Sequence, residues 1–262
     1  MDLLIHSGID VSGQRMKIHL ACWNGWDDPL DVYFAGNFQS WQERQSNRNF
    51  QCDQILSLID MGNKQWLFAG VYQTLDCRPH HPAGFLYSTR LLPKQEDLIG
   101  RLVLSYKRTR NSYIWFKPSL DLKIIEIRRE KLTLGEFPGY NSILISHSNL
   151  KTITEQRIAS WHSALSNIKG VYLITDTSSG RHYVGKASGT DGIWERWLSY
   201  AKNGHGGNKE LKSVLEKNGD SHMRNFQYSV LEIADSHASE KEILARESYW
   251  MNALKTREYG LN

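Results

Sequence analysis

Residues 170–185 read GVYLITDTSSGRHYVG and constrain the fold more than any other part of the chain. An apolar strand pattern over Val171–Ile174 is followed by a turn-rich break and by a second short strand over His182–Gly185. Two such runs separated by Asp, Thr, Ser and Gly are typical of a β-hairpin. The sequence therefore predicts a hairpin with one tyrosine on each strand, Tyr172 and Tyr183.

Polar residues follow the hairpin on separate predicted helices. Arg196 lies in an apolar-periodic segment that Asp191 precedes and Gly204 ends, which predicts a helix between them. Arg196 and Tyr200 are four residues apart and so share one helix face. Further on, the sequence predicts a helix over Asn208–Lys217, a strand over Phe226–Ile233 and a last helix that opens with the capping box Ser239 and Glu242.

Glu247 lies on the apolar face of that last helix. A buried carboxylate is unfavourable unless it is paired or binds a cation, so Glu247 needs a partner. A neighbouring Lys or Arg would make it structural, and a divalent metal would make it functional.

The half-motifs Gly170-Val171-Tyr172 and Tyr183-Val184-Gly185 resemble those of the GIY-YIG nuclease family, with valine at both isoleucine positions. That family continues with an arginine, an asparagine, a metal-binding glutamate and a closing asparagine. In this chain the corresponding positions are Arg196, Asn208, Glu247 and Asn262. The resemblance covers about residues 160–262 and implies a small α+β domain, with a central antiparallel three-stranded sheet flanked by helices.

The resemblance also implies a reaction, the hydrolysis of a phosphodiester by water with one Mg²⁺ or Mn²⁺ held mainly by Glu247. Tyr172 would orient or deprotonate the water, and Tyr183 would support it or contact the phosphate. Arg196 would stabilise the developing negative charge. Asn262 would set the geometry of the backbone or of the scissile phosphate.

Two positions depart from the family pattern. Tyr200 stands where many members have a histidine, and it is expected to serve in the site. Arg181 stands two residues before the second tyrosine, where lysine is common, and its permanent charge allows it to bind phosphate but not to act as a base. Lys186 is expected to compensate, so both cations are candidate DNA contacts.

The first half of the chain reads as strand-rich, with short apolar segments separated by polar, Gly or Pro breaks. These segments are Lys17–Cys22, Gln65–Tyr72, Gly84–Tyr87, Leu102–Tyr106, Ser112–Phe116 and Leu122–Ile127. A helix is predicted near Cys52–Asp60 and another over Thr154–Leu165. We therefore expect an α+β protein with a barrel-like domain at residues 1–150 and a nuclease domain at residues 151–262.

Residues 101–117 combine cations and aromatic side chains without any acidic residue. The DNA-binding candidates in this segment are Arg101, Lys107, Arg108, Arg110, Trp115 and Lys117. Cations reach phosphates and aromatic faces stack on exposed bases, so the segment suits a nucleic-acid surface. We place a hairpin turn at Thr109–Asn111. The alternative is an ordinary hairpin whose aromatics pack inward and whose cations are solvated.

Two interpretations stay open for three tryptophans, Trp23, Trp26 and Trp41. They either line a pocket for a base or belong to a hydrophobic core, and the sequence does not distinguish the two roles. The first domain is expected to read double-stranded DNA, through a short sequence or through a 5-methylcytosine or 5-hydroxymethylcytosine flipped into an aromatic pocket. Its strand count and aromatics, but no motif, resemble base-reading barrels of the PUA and SRA kind.

The composition constrains the function less than the motifs do. Three cysteines without a CxxC motif indicate neither a disulfide framework nor a zinc finger, which fits the cytoplasm. The sequence contains no run of eighteen apolar residues and no secretion leader, so we expect no membrane span. The net charge of +4 is too small to identify a polyanionic partner.

These observations predict a divalent-metal-dependent DNA endonuclease of restriction type, and a lone active site favours a homodimer for a double-strand cut. The alternatives are a structure-specific repair or recombination nuclease and a DNA-binding protein with a degenerate site. In a further alternative, the first domain binds a protein partner.

Overall fold

The computed structural model describes residues 15–262. The chain divides into two compact units, one up to Thr133 and one from Leu134. The first unit is built mainly of strands and the second mixes strands and helices, so the protein is α+β as expected. No helix in the described range is long and apolar enough to cross a membrane.

Within residues 15–133 the first unit contains eight strands, two short helices and a 3₁₀ segment at Pro93–Leu98. The strands are β1 (Met16–Ala21), β2 (Arg44–Gln45), β3 (Gln54–Asp60), β4 (Gln65–Pro79), β5 (Phe85–Leu91), β6 (Leu102–Ser105), β7 (Tyr113–Trp115) and β8 (Lys123–Ile127). The helices are α1 (Pro29–Phe34) and α2 (Phe38–Gln42), and both lie between β1 and β3 in the chain.

All eight strands form one curled sheet that forks along the long strand β4. One edge of β4 pairs with β3, which continues through β1 to β7. The other edge pairs with β6 near Gln65–Leu67 and with β5 over Tyr72–Pro79. This branching bends the sheet toward a half-barrel, in agreement with the barrel-like domain expected from the sequence.

The segment predicted as a helix near Cys52–Asp60 is instead the strand β3. β3 lies between β1, with which it pairs in parallel, and β4, with which it pairs antiparallel. The side chains of Leu56 and Leu58 lie in one hydrophobic cluster. Those of Ile55 and Ile59, which alternate with them along the strand, lie in two other clusters. A strand buried on both faces has a continuous apolar run, which periodicity cannot distinguish from a buried helix.

The hairpin predicted around Thr109–Asn111 is also wrong. β6 pairs with β4 and β8, whereas β7 pairs with β1. The intervening segment is therefore a crossing between two separate parts of the sheet. Strand order in a forked sheet depends on distant pairings that a local turn signal does not contain.

The second unit has a four-stranded antiparallel sheet in the order β11, β10, β12, β9. Its strands are β9 (Ile145–Ser146), β10 (Lys169–Asp176), β11 (Arg181–Ala187) and β12 (Phe226–Ala234). The expected three strands are present, and β9 adds a fourth by pairing with β12 at Gln227 and Tyr228. The hairpin predicted from the sequence is β10–β11.

Six helices and two 3₁₀ segments complete this unit. They are α3 (His147–Glu155), α4 (Ala159–Ser166), α5 (Gly192–Asn203), α6 (Lys209–Asn218), α7 (Glu240–Ala253) and α8 (Thr256–Tyr259), with 3₁₀ segments at Tyr140–Ser142 and Asp220–Asn225. The helix predicted over Thr154–Leu165 is two helices, because Arg157 takes a left-handed φ of 49° between α3 and α4.

The division between the units lies at Thr133 and Leu134, earlier than the boundary near Leu150 expected from the sequence. Ile143, Ile145 and Leu150 are buried in the core of the second unit, with Trp161 and Tyr228. The intervening segment therefore belongs to the second unit, for which it supplies β9 and the start of α3.

Candidate active site

The β10–β11 hairpin brings the two half-motifs into register. Tyr172 lies opposite Gly185, and a Cβ added to Gly185 would lie 2.5 Å from both Cζ and the hydroxyl oxygen of Tyr172. Gly170 approaches β12 so closely that a Cβ there would lie 2.2 Å from the Glu232 carbonyl oxygen. Both glycines are therefore needed for space, and Gly185 makes room for a phenol.

Helix α5 carries Arg196 and Tyr200 to this phenol. Its buried stripe includes Ile193, Trp194 and Trp197, and Gly204 ends it in a left-handed conformation, as predicted. The phenol oxygens of Tyr172 and Tyr200 lie 3.0 Å apart.

Arg196 donates to both phenols, from Nε to Tyr172 at 3.4 Å and from Nη2 to Tyr200 at 3.1 Å. Its guanidinium carbon lies 5.3 Å from the centre of the Tyr200 ring. Tyr183 completes what we call the phenol cluster (Tyr172, Tyr183 and Tyr200), with its ring centre 6.4 Å from that of Tyr200.

The phenol cluster is neutral at neutral pH. Burial, and next the neighbouring Tyr183, raise the pKa of Tyr172 above its ordinary value, and Arg196 opposes this rise. Burial likewise raises the pKa of Tyr183 and of Tyr200. Tyr172 and Tyr200 are fully buried and Tyr183 is 8% exposed, while Arg196 is half-buried. Arg196 is therefore the accessible charge, and two buried phenols hold it in place.

Glu247 lies on α7, which begins with the predicted capping box of Ser239 and Glu242. The residue is buried, and burial raises the pKa of its carboxyl group. Lys186, Arg257 and Arg196 oppose that shift, and the backbone N–H of Lys186 donates to the carboxylate. The Lys186 ammonium is itself paired with Glu240 at 2.7 Å. A backbone donor and surrounding cations thus stabilise the Glu247 charge.

The donor set around Glu247 fits a hard divalent cation. Among residues 15–262, no three His, Cys, Asp or Glu side chains gather into a metal cluster, so Glu247 would be the main protein ligand. Mg²⁺ is commonly held by one or two carboxylates together with substrate phosphates and water. A single buried carboxylate near Arg196 and Tyr183 is compatible with that pattern.

Asn262 closes the outer edge of β11. Its side-chain oxygen accepts from the Val184 backbone N–H at 2.9 Å, and its side-chain amide donates to the Val184 carbonyl at 2.7 Å. Arg181 donates from Nη2 to the Gly260 carbonyl. The last residues are thus tied to the strand that carries Tyr183, and the Asn262 amide is occupied by backbone.

Asn208 caps α6, because its side-chain oxygen accepts from the Leu211 N–H at 2.8 Å. A cap satisfies one of the free donors at the start of a helix. Asn208 therefore acts on helix geometry and lies outside the phenol cluster.

The DNA-binding candidates of the first unit do not form one group. Arg101 donates to the carbonyls of Arg128 and Asp97, at 2.8 and 3.2 Å. Arg108 donates to the Cys22 sulfur and to the Thr109 carbonyl. Lys107, Arg110 and Lys117 are exposed. Arg101 and Arg108 are therefore held by partners within the unit, whereas Lys107, Arg110 and Lys117 lie exposed at its surface.

Trp115 has neighbours that sequence reasoning missed. It is 42% exposed, and Arg15 and Lys17 lie 5.2 and 4.9 Å from its ring centre. Lys17 and Trp115 are register partners in the β1–β7 pair. These cations are distant from Trp115 in the sequence, so only strand pairing brings them to the aromatic ring.

Comparison with known proteins found no matching family model and no matching curated protein. Two solved structures are similar to part of the chain. The catalytic domain of the homing endonuclease I-TevI shares 26% identity over 36% of this chain and 96% of that domain, with a TM-score of 0.29. A mutant of the catalytic domain of the intron endonuclease I-TevI shares 25% over 36% and 92%, with the same TM-score of 0.29. At this TM-score the likeness carries no function over to this chain.

Proposed function

We propose that this protein is a divalent-metal-dependent DNA endonuclease, a cytoplasmic restriction enzyme whose first unit selects a sequence or a modified cytosine. The observation that carries the proposal is the clamp on Arg196, whose guanidinium donates to the phenols of Tyr172 and Tyr200. A held guanidinium binds phosphate oxygens and stabilises charge that develops on them. Glu247 lies within its electrostatic range.

Hydrolysis joins a water oxygen to phosphorus, breaks the bond to the leaving sugar oxygen, and transfers the water proton through solvent to that leaving oxygen. Because Tyr172 is fully buried and neutral, we assign it the role of positioning Arg196, together with Tyr200. Tyr183 and Arg196 would contact the phosphate. Asn262 would position Tyr183 through β11.

Glu247 would hold Mg²⁺ or Mn²⁺, and the cation would supply positive charge that stabilises negative charge on the phosphate. The backbone N–H of Lys186 would orient the carboxylate. Arg181 and Lys186 would contribute positive charge near β11. To bind a DNA phosphate, the Lys186 ammonium would first have to leave its ion pair with Glu240. A double-strand cut by this lone site would use a homodimer.

The test is cleavage of matched plasmids that carry cytosine, 5-methylcytosine or 5-hydroxymethylcytosine, with Mg²⁺ and with EDTA. We expect Glu247→Gln to lower the cleavage rate by roughly 10²-fold or more, because the main metal ligand is lost. Glu216→Gln is the matched control, since Glu216 forms an exposed pair with Lys212 on α6.

Three results would contradict the proposal: no cleavage of any plasmid by the wild type, equal cleavage in EDTA, or full activity in Glu247→Gln. Discrete fragments from all three plasmids would indicate sequence selection, and cleavage of only modified plasmids would indicate base selection. Preference for branched DNA over duplex would replace the restriction role with a structure-specific one.

A further inference from the structure

The first unit contains a cavity of about 350 Å³ that is lined by residues of β1, β2 and β7, by the loop after β1 and by the end of α2. His19, Asp27, Trp41, Arg44 and Tyr113 are among the residues that line it. This volume lies in the range of small-molecule sites, which combine aromatic walls with a few placed polar groups.

Three flat rings in the lining are nearly parallel. His19 and Tyr113 have ring centres 5.2 Å apart and an interplanar angle of 11°. His19 and Trp41 are 6.1 Å apart with an angle of 17°. His19 is buried and stacks against both neighbours, so the partly exposed rings of Trp41 and Tyr113 are the aromatic surface that a planar ligand in the cavity can contact.

Buried hydrogen bonds keep these rings in place. The Tyr113 hydroxyl donates to Gln45 Oε1 at 2.6 Å, and Trp41 Nε1 donates to Asp27 Oδ2 at 3.1 Å. His19 Nδ1 lies 3.3 Å from Gln42 Oε1. Each ring is thus fixed at its edge, which leaves the shape of the cavity preformed.

The polar groups of the cavity favour a ligand that donates hydrogen bonds. Burial lowers the pKa of His19 to about 4, so its imidazole is neutral at neutral pH. Gln42 Oε1 also accepts from the Ser57 hydroxyl at 2.7 Å. The carboxylate of Asp27, which accepts from Trp41, is an anionic acceptor in the lining.

The rim of the cavity has the features of a nucleic-acid surface. Trp23 and Trp26, in the loop that leaves β1, are 62% and 65% exposed. Arg108 donates to Cys22, another lining residue, and Arg44 is exposed beside it. Exposed aromatics can stack on neighbouring bases, and rim cations can hold the phosphates that flank an extruded nucleotide.

We infer that this cavity receives one DNA base rotated out of the helix and selects a base with an exocyclic amino group, such as cytosine or 5-methylcytosine. The inference rests on the proposed DNA substrate and assigns the selecting residues within the first unit. Trp41 and Tyr113 provide aromatic surface, while the carboxylate of Asp27 accepts from the amino group. Extrusion requires such a pocket, because the edge of a paired base is occupied.

The test measures binding without cleavage, with full-length Glu247→Gln protein in EDTA and duplexes that hold one base opposite an abasic site. The base is cytosine, 5-methylcytosine or thymine, and thymine keeps the methyl group but has a carbonyl in place of the amino group. We expect cytosine or 5-methylcytosine to bind about tenfold more tightly than thymine, the size of one good base contact.

Asp27→Asn should reduce that preference to about twofold or less, because the carboxylate is lost while an oxygen remains for Trp41. Asp121→Asn is the matched control, since Asp121 is highly exposed in the same unit and paired only with Lys123. In a second measurement, bound protein should protect the unpaired cytosine from hydroxylamine. Equal binding of all three duplexes, an unchanged preference in Asp27→Asn, or an unprotected cytosine would overturn the inference.

The two proposals fail separately. Base-selective binding by a protein that never cleaves DNA would leave the pocket assignment standing and remove the nuclease function. Cleavage at the same rate whichever base is present, in the wild type and in Asp27→Asn, would leave the nuclease function standing and remove the pocket assignment.

Discussion

At the scale of single residues, the site depends on buried phenols that act on an accessible guanidinium. Tyr200 stands where many GIY-YIG nucleases have histidine, and its hydroxyl lies between Tyr172 and Arg196. Tyr228 is equally buried, and its hydroxyl lies 3.1 Å from His147 Nδ1, outside the Arg196 clamp. The two tyrosines therefore form a matched pair in which only one hydroxyl contacts Arg196.

We predict that Tyr200→Phe lowers the cleavage rate by about 10²-fold, because Arg196 loses one of its two anchors and a small displacement of a catalytic group has effects of this size. Tyr228→Phe should reduce the rate much less. Tyr200→Phe removes the hydroxyl that contacts both Tyr172 and Arg196, and Tyr228→Phe removes the hydroxyl that contacts His147, so each variant should lower the free energy of unfolding by roughly 1–3 kcal/mol. Cleavage rates and chemical denaturation of both proteins test this. Equal rate losses would show that Tyr200 acts only through stability.

At the scale of elements, helix ends and the local β10–β11 hairpin were predictable, whereas pairings between strands distant in the sequence were not. The start of α7 at its capping box and the end of α5 at Gly204 follow from local hydrogen bonding and backbone freedom. In contrast, β3 was predicted as a helix and β7 as the hairpin partner of β6. Their environments depend on β1, which is distant in the sequence.

The edge of β11 provides a prediction at this scale. Asn262 pairs with both backbone groups of Val184 as a neighbouring strand would. Asn262→Ala should lower the free energy of unfolding by roughly 1–3 kcal/mol, because two backbone groups lose their partners, and should reduce cleavage because β11 carries Tyr183. Asn252→Ala, at an exposed position on α7, is the control. Chemical denaturation measures the first effect, and equal stability of the two variants would contradict it.

At the scale of the whole molecule, the described part of each unit contains a buried neutral histidine, His19 in the first and His147 in the second. Burial lowers the pKa of His19 to about 4. Burial, and then the charges of Lys151 and Arg224, lower the pKa of His147 to about 4. Between pH 6.5 and pH 4 the unfolded chain therefore binds more protons than the folded one at these positions. Stability from both histidines is complete above pH 6.5 and is lost as the pH falls through this range.

We predict a slope of about 1.4 kcal/mol per pH unit from each histidine within that window. His147→Gln should remove the contribution from the second unit, and His19→Gln should remove that from the first. His237→Gln is the control, because the His237 side chain is 94% exposed. Denaturation curves at pH 7 and pH 5 give the slopes. The prediction fails if neither buried substitution reduces the pH dependence.

The sequence by itself determined what depends on neighbours along the chain. The β10–β11 hairpin, the small residue opposite Tyr172, the caps of α5 and α7, and the shared helix face of Arg196 and Tyr200 all follow from spacing and local hydrogen bonds. The resemblance to GIY-YIG nucleases added the expected roles, which stay predictions.

Only the tertiary structure decided which distant side chains meet. The cavity in the first unit joins His19, Asp27, Trp41 and Tyr113, which come from two strands, a loop and a short helix. Residue spacing does not connect Asp27 with these rings, and it leaves Trp41 as either a pocket wall or a core residue. Pairing of β7 with β1, and packing of the helices between β1 and β3, place these residues together. Such contacts depend on the global arrangement of strands, which residue spacing does not encode.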